Sequence, residues 1–128
     1  MATVVAVHTP LKTFGDEVHI FEWSPLTTTD NYGSPVELPG WPDRSIQLTG
    51  TLGTGGAVTI YGSNRAQPNL ANDDDWFVLT DPQGNNIVLN ALKGEAITEL
   101  TRWLRPKVTA GDASTSLTAT LLLSKPWR

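Results

Sequence analysis

The chain has 128 residues, 9 Lys and Arg against 13 Asp and Glu for a formal net charge of −4, and no cysteine. That length suits a single domain. The acidic balance without a basic run argues against nucleic acid as a partner, and the missing cysteines exclude disulfides, thiolate metal sites and cysteine nucleophiles.

From the N-terminus, Met1 to His8 has no basic start, and its apolar run Val4–Val7 lasts only four residues. It reads as neither a signal peptide nor a membrane span, so no membrane partner is expected. An extended strand at Thr3–His8 would suit addition to another subunit's sheet edge. His8 and His19 occupy strand-like segments with no third ligand at a recognisable spacing, so they read as ordinary strand histidines and no metal is assigned. The stretch from Ser24 to Asp43 differs from its surroundings. It carries Pro25, Pro35, Pro39 and Pro42 with Gly33 and Gly40, which predicts an irregular arm or loop over 24–43 within one domain spanning 1–128. Proline limits the freedom of such an arm, so less entropy is lost when it lies along a neighbour.

Beyond the arm the pattern turns to strands. Thr is abundant at 17 residues, a bias toward half-buried pleated surfaces. Ile46, Leu48, Gly50 and Leu52 alternate with Ser45, Gln47, Thr49 and Thr51, which predicts a strand with one wet face. Val58, Ile60 and Gly62 alternate likewise with Thr59, Tyr61 and Ser63. Leu117, Ala119, Leu121 and Leu123 repeat the pattern, while Leu122 falls on their polar face and breaks it. Gly53-Thr54-Gly55-Gly56 supplies a hairpin turn, and Asp81-Pro82-Gln83-Gly84 has the order of a type I turn linking Trp76–Thr80 to Asn86–Asn90. Leu92, Ala96, Leu100 and Trp103 or Leu104 fall at helical spacing, but Gly94 and flanking Thr residues weaken a helix, and the clean alternation of Arg102–Thr109 favours a brief strand at Glu95–Leu100. Arg102–Thr109 alternates with Leu104, Pro106 and Val108 inward. Pro106 cannot donate to a ladder, so that strand is expected at an edge or bulged there. Ala110–Thr115 then links it to the C-terminal strand. These elements predict an all-β fold, an antiparallel β-sandwich or jelly roll.

Candidate chemistry is sparse. Asn72-Asp73-Asp74-Asp75 is oxygen-rich but matches no calcium loop, and a solvated loop tip is the simpler reading. No nucleophile elbow occurs; no catalytic residue, cofactor or enzymatic activity is assigned. Five Trp are spread along the chain. Trp76 reads as core filling. Trp41, between Gly40 and Pro42, and Trp127, in the tail Ser124–Arg128, lie where one sandwich cannot easily bury them, which makes them candidate intersubunit anchors. Trp103, Arg105 and Lys107 would form an outward aromatic and basic stripe able to grip an acidic neighbour, and Pro35 and Pro39 join the interface candidates as part of the arm.

Two resemblances add to this. Val58–Asn64, then Trp76–Leu79, then Thr101–Pro106 resemble discoidin-type and carbohydrate-binding jelly rolls, which implies a possible glycan partner. Leu38-Pro39-Gly40-Trp41, Asp43-Arg44-Ser45, Leu79–Asn85, Arg105–Thr109, Gly111-Asp112 and Ser116-Leu117-Thr118 together resemble the β-sandwich cement proteins that decorate capsids of tailed bacteriophages, such as that of the Bordetella podovirus. This likeness implies a protein made in the host cytoplasm and carried on the virion's capsid exterior, stabilising it by bridging subunits of the major capsid protein and associating with itself as a dimer. A carbohydrate-binding module and a minor tail structural protein are the alternatives.

Overall fold

The structure, a computed structural model, describes residues 3–11, 18–37 and 40–124. It is a β-sandwich of two sheets. One sheet joins β2 (Val7–Pro10), β3 (Val18–Leu26), β6 (Asp43–Thr51), β10 (Gly94–Ile97) and β12 (Ser116–Ser124) in the order β10-β6-β12-β3-β2. The other is built on β11 (Trp103–Ala110) paired antiparallel to β7 (Ala57–Ser63). Five two-residue strands flank that pair: β1 (Thr3–Val4), β4 (Tyr32–Gly33), β5 (Val36–Glu37), β8 (Phe77–Val78) and β9 (Val88–Leu89).

In β6, β7, β11 and β12 alternation places the core as the sequence predicts, while Trp23 and Leu26 of β3 join it across a register shift that no alternation announces. Ile46 and Leu48 of β6, Leu117, Ala119, Leu121 and Leu123 of β12, and Trp23 and Leu26 of β3 meet Val58, Ile60, Leu104 and Val108 across the sandwich. Each fully buried Leu or Ile contributes about 1.5–3 kcal/mol before the cost of ordering it. The first hairpin turn has positive φ at Gly53 and Gly55 (70° and 68°), the region that favours glycine. Asp81 closes the turn before β9, its Oδ1 accepting from the N–H groups of Gln83 and Asn85 at 3.0 Å each.

Three expectations are corrected. Pro106 is neither at an edge nor at the bulge: it pairs with Ile60 inside the sheet, and the register shift falls between Val108 and Ala110. Val108 N–H donates toward Asn31 O at 2.8 Å, and N–H groups two residues apart point the same way along a strand. The donor Pro106 lacks therefore faces the break between β4 and β5. Gly33 makes room there, since a Cβ on it would lie 2.5 Å from Pro106 Cδ.

The described residues of the stretch 24–43 do not stand away from the body, and β3 runs on into it as far as Leu26. Its β4 and β5 pair with β11, Val36 is buried, and Trp23 Nε1 donates to Ser34 O at 2.8 Å.

The N-terminal strand also pairs within its own chain, β1 with β4 and β2 with β3. Leu11 N–H bonds Val18 O at 2.9 Å, so residues 8 and 10 turn their backbone groups outward, and Pro10 has no N–H to offer there. Proline on an outer strand blunts the edge against further pairing.

Candidate functional site

The two sheets differ on their outer faces. Outside the β7/β11 sheet, the loop from Asn64 to Trp76 folds back over the strands. Its turns close on side-chain caps: Asn69 Oδ1 accepts from Ala71 N–H at 2.9 Å and Asn72 Oδ1 from Asp74 N–H at 3.1 Å. Asp73–Asp75 forms a short 3-10 turn with no buried residue. Trp76 is buried under this loop, with Nε1 donating to Asn69 O at 3.1 Å, in keeping with its reading as a filler.

The basic stripe lies beneath that cover. Arg105 is 1% exposed, although alternation turns it away from the core. Its guanidinium sits 4.2 Å from the Trp76 ring centroid and 4.6 Å from that of Tyr32, and Nη2 donates to Leu70 O at 3.1 Å. Nε and Nη1 are buried without a hydrogen-bond partner. Burial pushes the Arg105 pKa down, opposed by Tyr32, Asp73 and Tyr61. Lys107 Nζ lies 4.8 Å from the Tyr32 ring centroid, and its hydrogen bond with Tyr32 raises its pKa against the effect of burial. Trp103 is half-buried and donates from Nε1 to Arg65 O at 3.1 Å. The reading of Arg105 as an outward grip is therefore corrected: the guanidinium is an internal post, held by two aromatic rings, that pins the loop to the sheet.

Among the described residues, nothing comparable covers the opposite outer face. Register aligns Ala96, Ser45, Leu122, Ile20 and Thr9 in one row across the five strands, with Gln47, Thr120, Glu22 and Val7 in the next. Leu122 is 38% exposed and Val7 65% exposed. A shallow depression of about 540 Å³ runs between Ile20, Ser45, Gln47, Ala96 and Leu122. The residue that broke the sequence pattern thus stands at the middle of an open sheet face. Taking strands about 4.8 Å apart and about 3.3 Å per residue, the face spans roughly 600 Å², close to the ~800 Å² each partner contributes to a standard interface.

A smaller recess of about 220 Å³ opens at one end of the sandwich between the sheets, lined by His8, His19, Phe21, Glu37 and Trp41. Trp41 is half-buried and packs against the core, its ring edge-on to His19 with centroids 4.9 Å apart. The anchor inferred for it is thus partly engaged within its own chain. Pro35 is half-buried between β4 and β5. Pro39 and Trp127 lie outside the described residues. The arrangement brings Trp103, Arg105 and Lys107 to one face, as their spacing predicts, and places Trp41 elsewhere.

Two features escaped the sequence. Arg44 is buried at the inner end of β6, with Nη2 donating to Thr101 O at 2.8 Å and Nη1 to Thr101 Oγ1 at 3.1 Å; desolvation lowers its pKa. Its inward phase with Ile46 and Leu48 was the available signal. His8 and His19, eleven residues apart, meet with ring nitrogens 2.8 Å apart, a contact set by strand register that sequence spacing does not reveal.

No family model matches the chain, and no curated protein matches it. Among solved structures the fold is similar to that of the SPBc2 prophage-derived protein YomS, with a TM-score of 0.51 and 8% identity over 84% of this chain and 95% of that one. It is also matched to RmlC from Streptococcus suis in complex with dTDP-D-xylose, at a TM-score of 0.33 and 10% identity over 100% of this chain and 74% of the other. At such identities the first likeness speaks to fold alone, and the second carries no argument.

Proposed function

We propose that the chain is a structural protein of a tailed bacteriophage, and specifically a decoration protein that binds the capsid exterior and stabilises it by bridging major capsid subunits. The observation that carries this reading is the asymmetry of the sandwich: one outer face is roofed by the chain's own loop, while the other, among the described residues, is open and centred on an exposed leucine beside a depression. Exposed apolar groups ringed by small polar side chains suit docking to a protein surface. The similarity to a prophage-derived protein supports the phage setting. Binding across a seam between capsid subunits would stabilise the particle by mass action, because the bound form is favoured over separated subunits.

Quantitative mass spectrometry of gradient-purified particles tests the reading. A ratio near one copy, or one half, per major capsid subunit is expected. A handful of copies per particle would move the chain to the tail, and its absence would remove it from the virion.

A further inference from the structure

We propose that His8 and His19 form a two-imidazole chelate for a transition-metal dication of the Zn²⁺, Ni²⁺ or Cu²⁺ class, at the mouth of the sandwich.

The placement follows from register. His8 faces Phe21 and Pro10 faces His19 across the β2/β3 pair. Both are non-hydrogen-bonded positions, since the bond from Leu11 N–H to Val18 O fixes the alternate ones, and side chains approach closest at such positions. Trp23 points into the core from β3, so Phe21 and His19, two and four residues before it, share its inner face. His8 therefore meets His19 diagonally in the recess between the sheets and not on the open outer face.

Geometry then favours a shared cation. His8 Nε2 and His19 Nδ1 are 2.8 Å apart, and their ring centroids are 5.0 Å apart with planes at 31°. Neutral imidazoles in this contact share one proton. With metal–nitrogen bonds of about 2.0–2.1 Å, nitrogens at that separation subtend roughly a right angle at an ion, so the rings need only tilt for both lone pairs to converge. On binding, the proton held between the near nitrogens moves to the far nitrogen of the ring that carried it, so each neutral ring then has its single N–H there, Nδ1 of His8 and Nε2 of His19, and no proton is released. Neighbouring rings limit reorganisation: Phe21 stacks on His8 at 4.4 Å with planes 5° apart, and Trp41 meets His19 edge-on. Among the described residues no third His, Cys, Asp or Glu completes a set. The recess of about 220 Å³ is large enough for an ion with several waters, each taking ~30 Å³. Imidazole nitrogen selects Zn²⁺, Cu²⁺ or Ni²⁺ over Mg²⁺ and Ca²⁺. The bound ion would tie the outer strand β2 to β3, stabilising the fold by RT ln(1 + M/Kd), where M is the free ion concentration.

The test is isothermal titration of the full chain, carrying no histidine tag, with ZnCl₂, NiCl₂ and MgCl₂ in a non-coordinating buffer. Saturable one-to-one binding of Zn²⁺ and Ni²⁺ is expected, with none for Mg²⁺, and His8→Gln and His19→Gln should each weaken it at least tenfold. His8 is exposed, so its variant should stay folded; if His19→Gln does not fold, Ni²⁺ broadening of the two histidine ring resonances in the wild-type protein supplies the second reading. Absence of saturable binding, binding unchanged in His8→Gln, or broadening centred on other residues would overturn the proposal.

Discussion

The β7/β11 sheet and the β6/β12 sheet begin from the same sequence device, apolar residues alternating with Thr, Ser and charged ones, and end with opposite surfaces. In β6 the polar residues Ser45, Gln47 and Thr49 are exposed. In β7 the polar residues Thr59 and Ser63 are 5% and 1% exposed, because the Asn64–Trp76 loop and its neighbours lie over that face. Thr59 Oγ1 meets Thr109 Oγ1 at 3.0 Å, so the covered hydroxyls satisfy one another, as buried polar groups must. Periodicity decides which side chains enter the core; a segment far away in sequence decides whether the other side stays wet.

The comparison can be broken most strongly at Trp76. Trp76→Ala removes the ring that holds both the loop and Arg105, and is expected to cost about 3–5 kcal/mol, read as a lowered urea midpoint, with faster amide exchange across 64–76. A second substitution sharpens the role of the buried guanidinium. Arg105→Met relieves two unpaired donors but gives up two cation–π contacts and the hydrogen bond to Leu70 O, so a net loss of about 1–2 kcal/mol, smaller than that of Trp76→Ala, is expected. A loss as large as that of Trp76→Ala would mean that charge holds the loop.

On the open face, Leu122→Lys should change the stability of the isolated chain by less than about 0.5 kcal/mol, measured by thermal unfolding, because that side chain is exposed on the outer face and lies outside the core.

The smallest effect belongs to the turns that close one end of the sandwich. Asp112 accepts from Ser114 Oγ at 2.7 Å and from Thr54 N–H at 2.9 Å; with the Ser114 N–H, these bonds hold its carboxyl well below the usual carboxylate range. A depressed folded pKa stabilises at pH values above the unfolded pKa, and that contribution is lost as pH falls through the carboxylate range. The melting-temperature gap between wild type and Asp112→Asn should therefore be constant above about pH 5 and shrink below about pH 4.

Much of the fold is legible in the sequence because it depends on local period and turn chemistry: β6, β7, β11, β12 and the turns at Gly53–Gly56 and Asp81–Gly84 fall where alternation and glycine place them. Pro106 was misplaced because a proline needs only a missing partner, which a gap between two short strands supplies as well as an edge does. The polar face of β11 reads as solvated for a similar reason: nothing in Trp103–Lys107 announces that Trp76, some thirty residues earlier, will lie on Arg105. The open face was half legible, since Leu122 stood out of phase, but its row with Ile20 and Ala96 depends on register between strands far apart in sequence. The histidine contact was not legible at all.

We propose that the face centred on Leu122, uncovered among the described residues, is the one that docks. Co-sedimentation of purified Leu122→Lys protein with phage heads stripped of this chain tests it most directly, beside Lys107→Ser as a control on the covered face. The account expects Leu122→Lys to lose at least tenfold in binding while remaining folded, and Lys107→Ser to bind as wild type. The reverse pattern, with Leu122→Lys bound normally and Lys107→Ser lost, would contradict it.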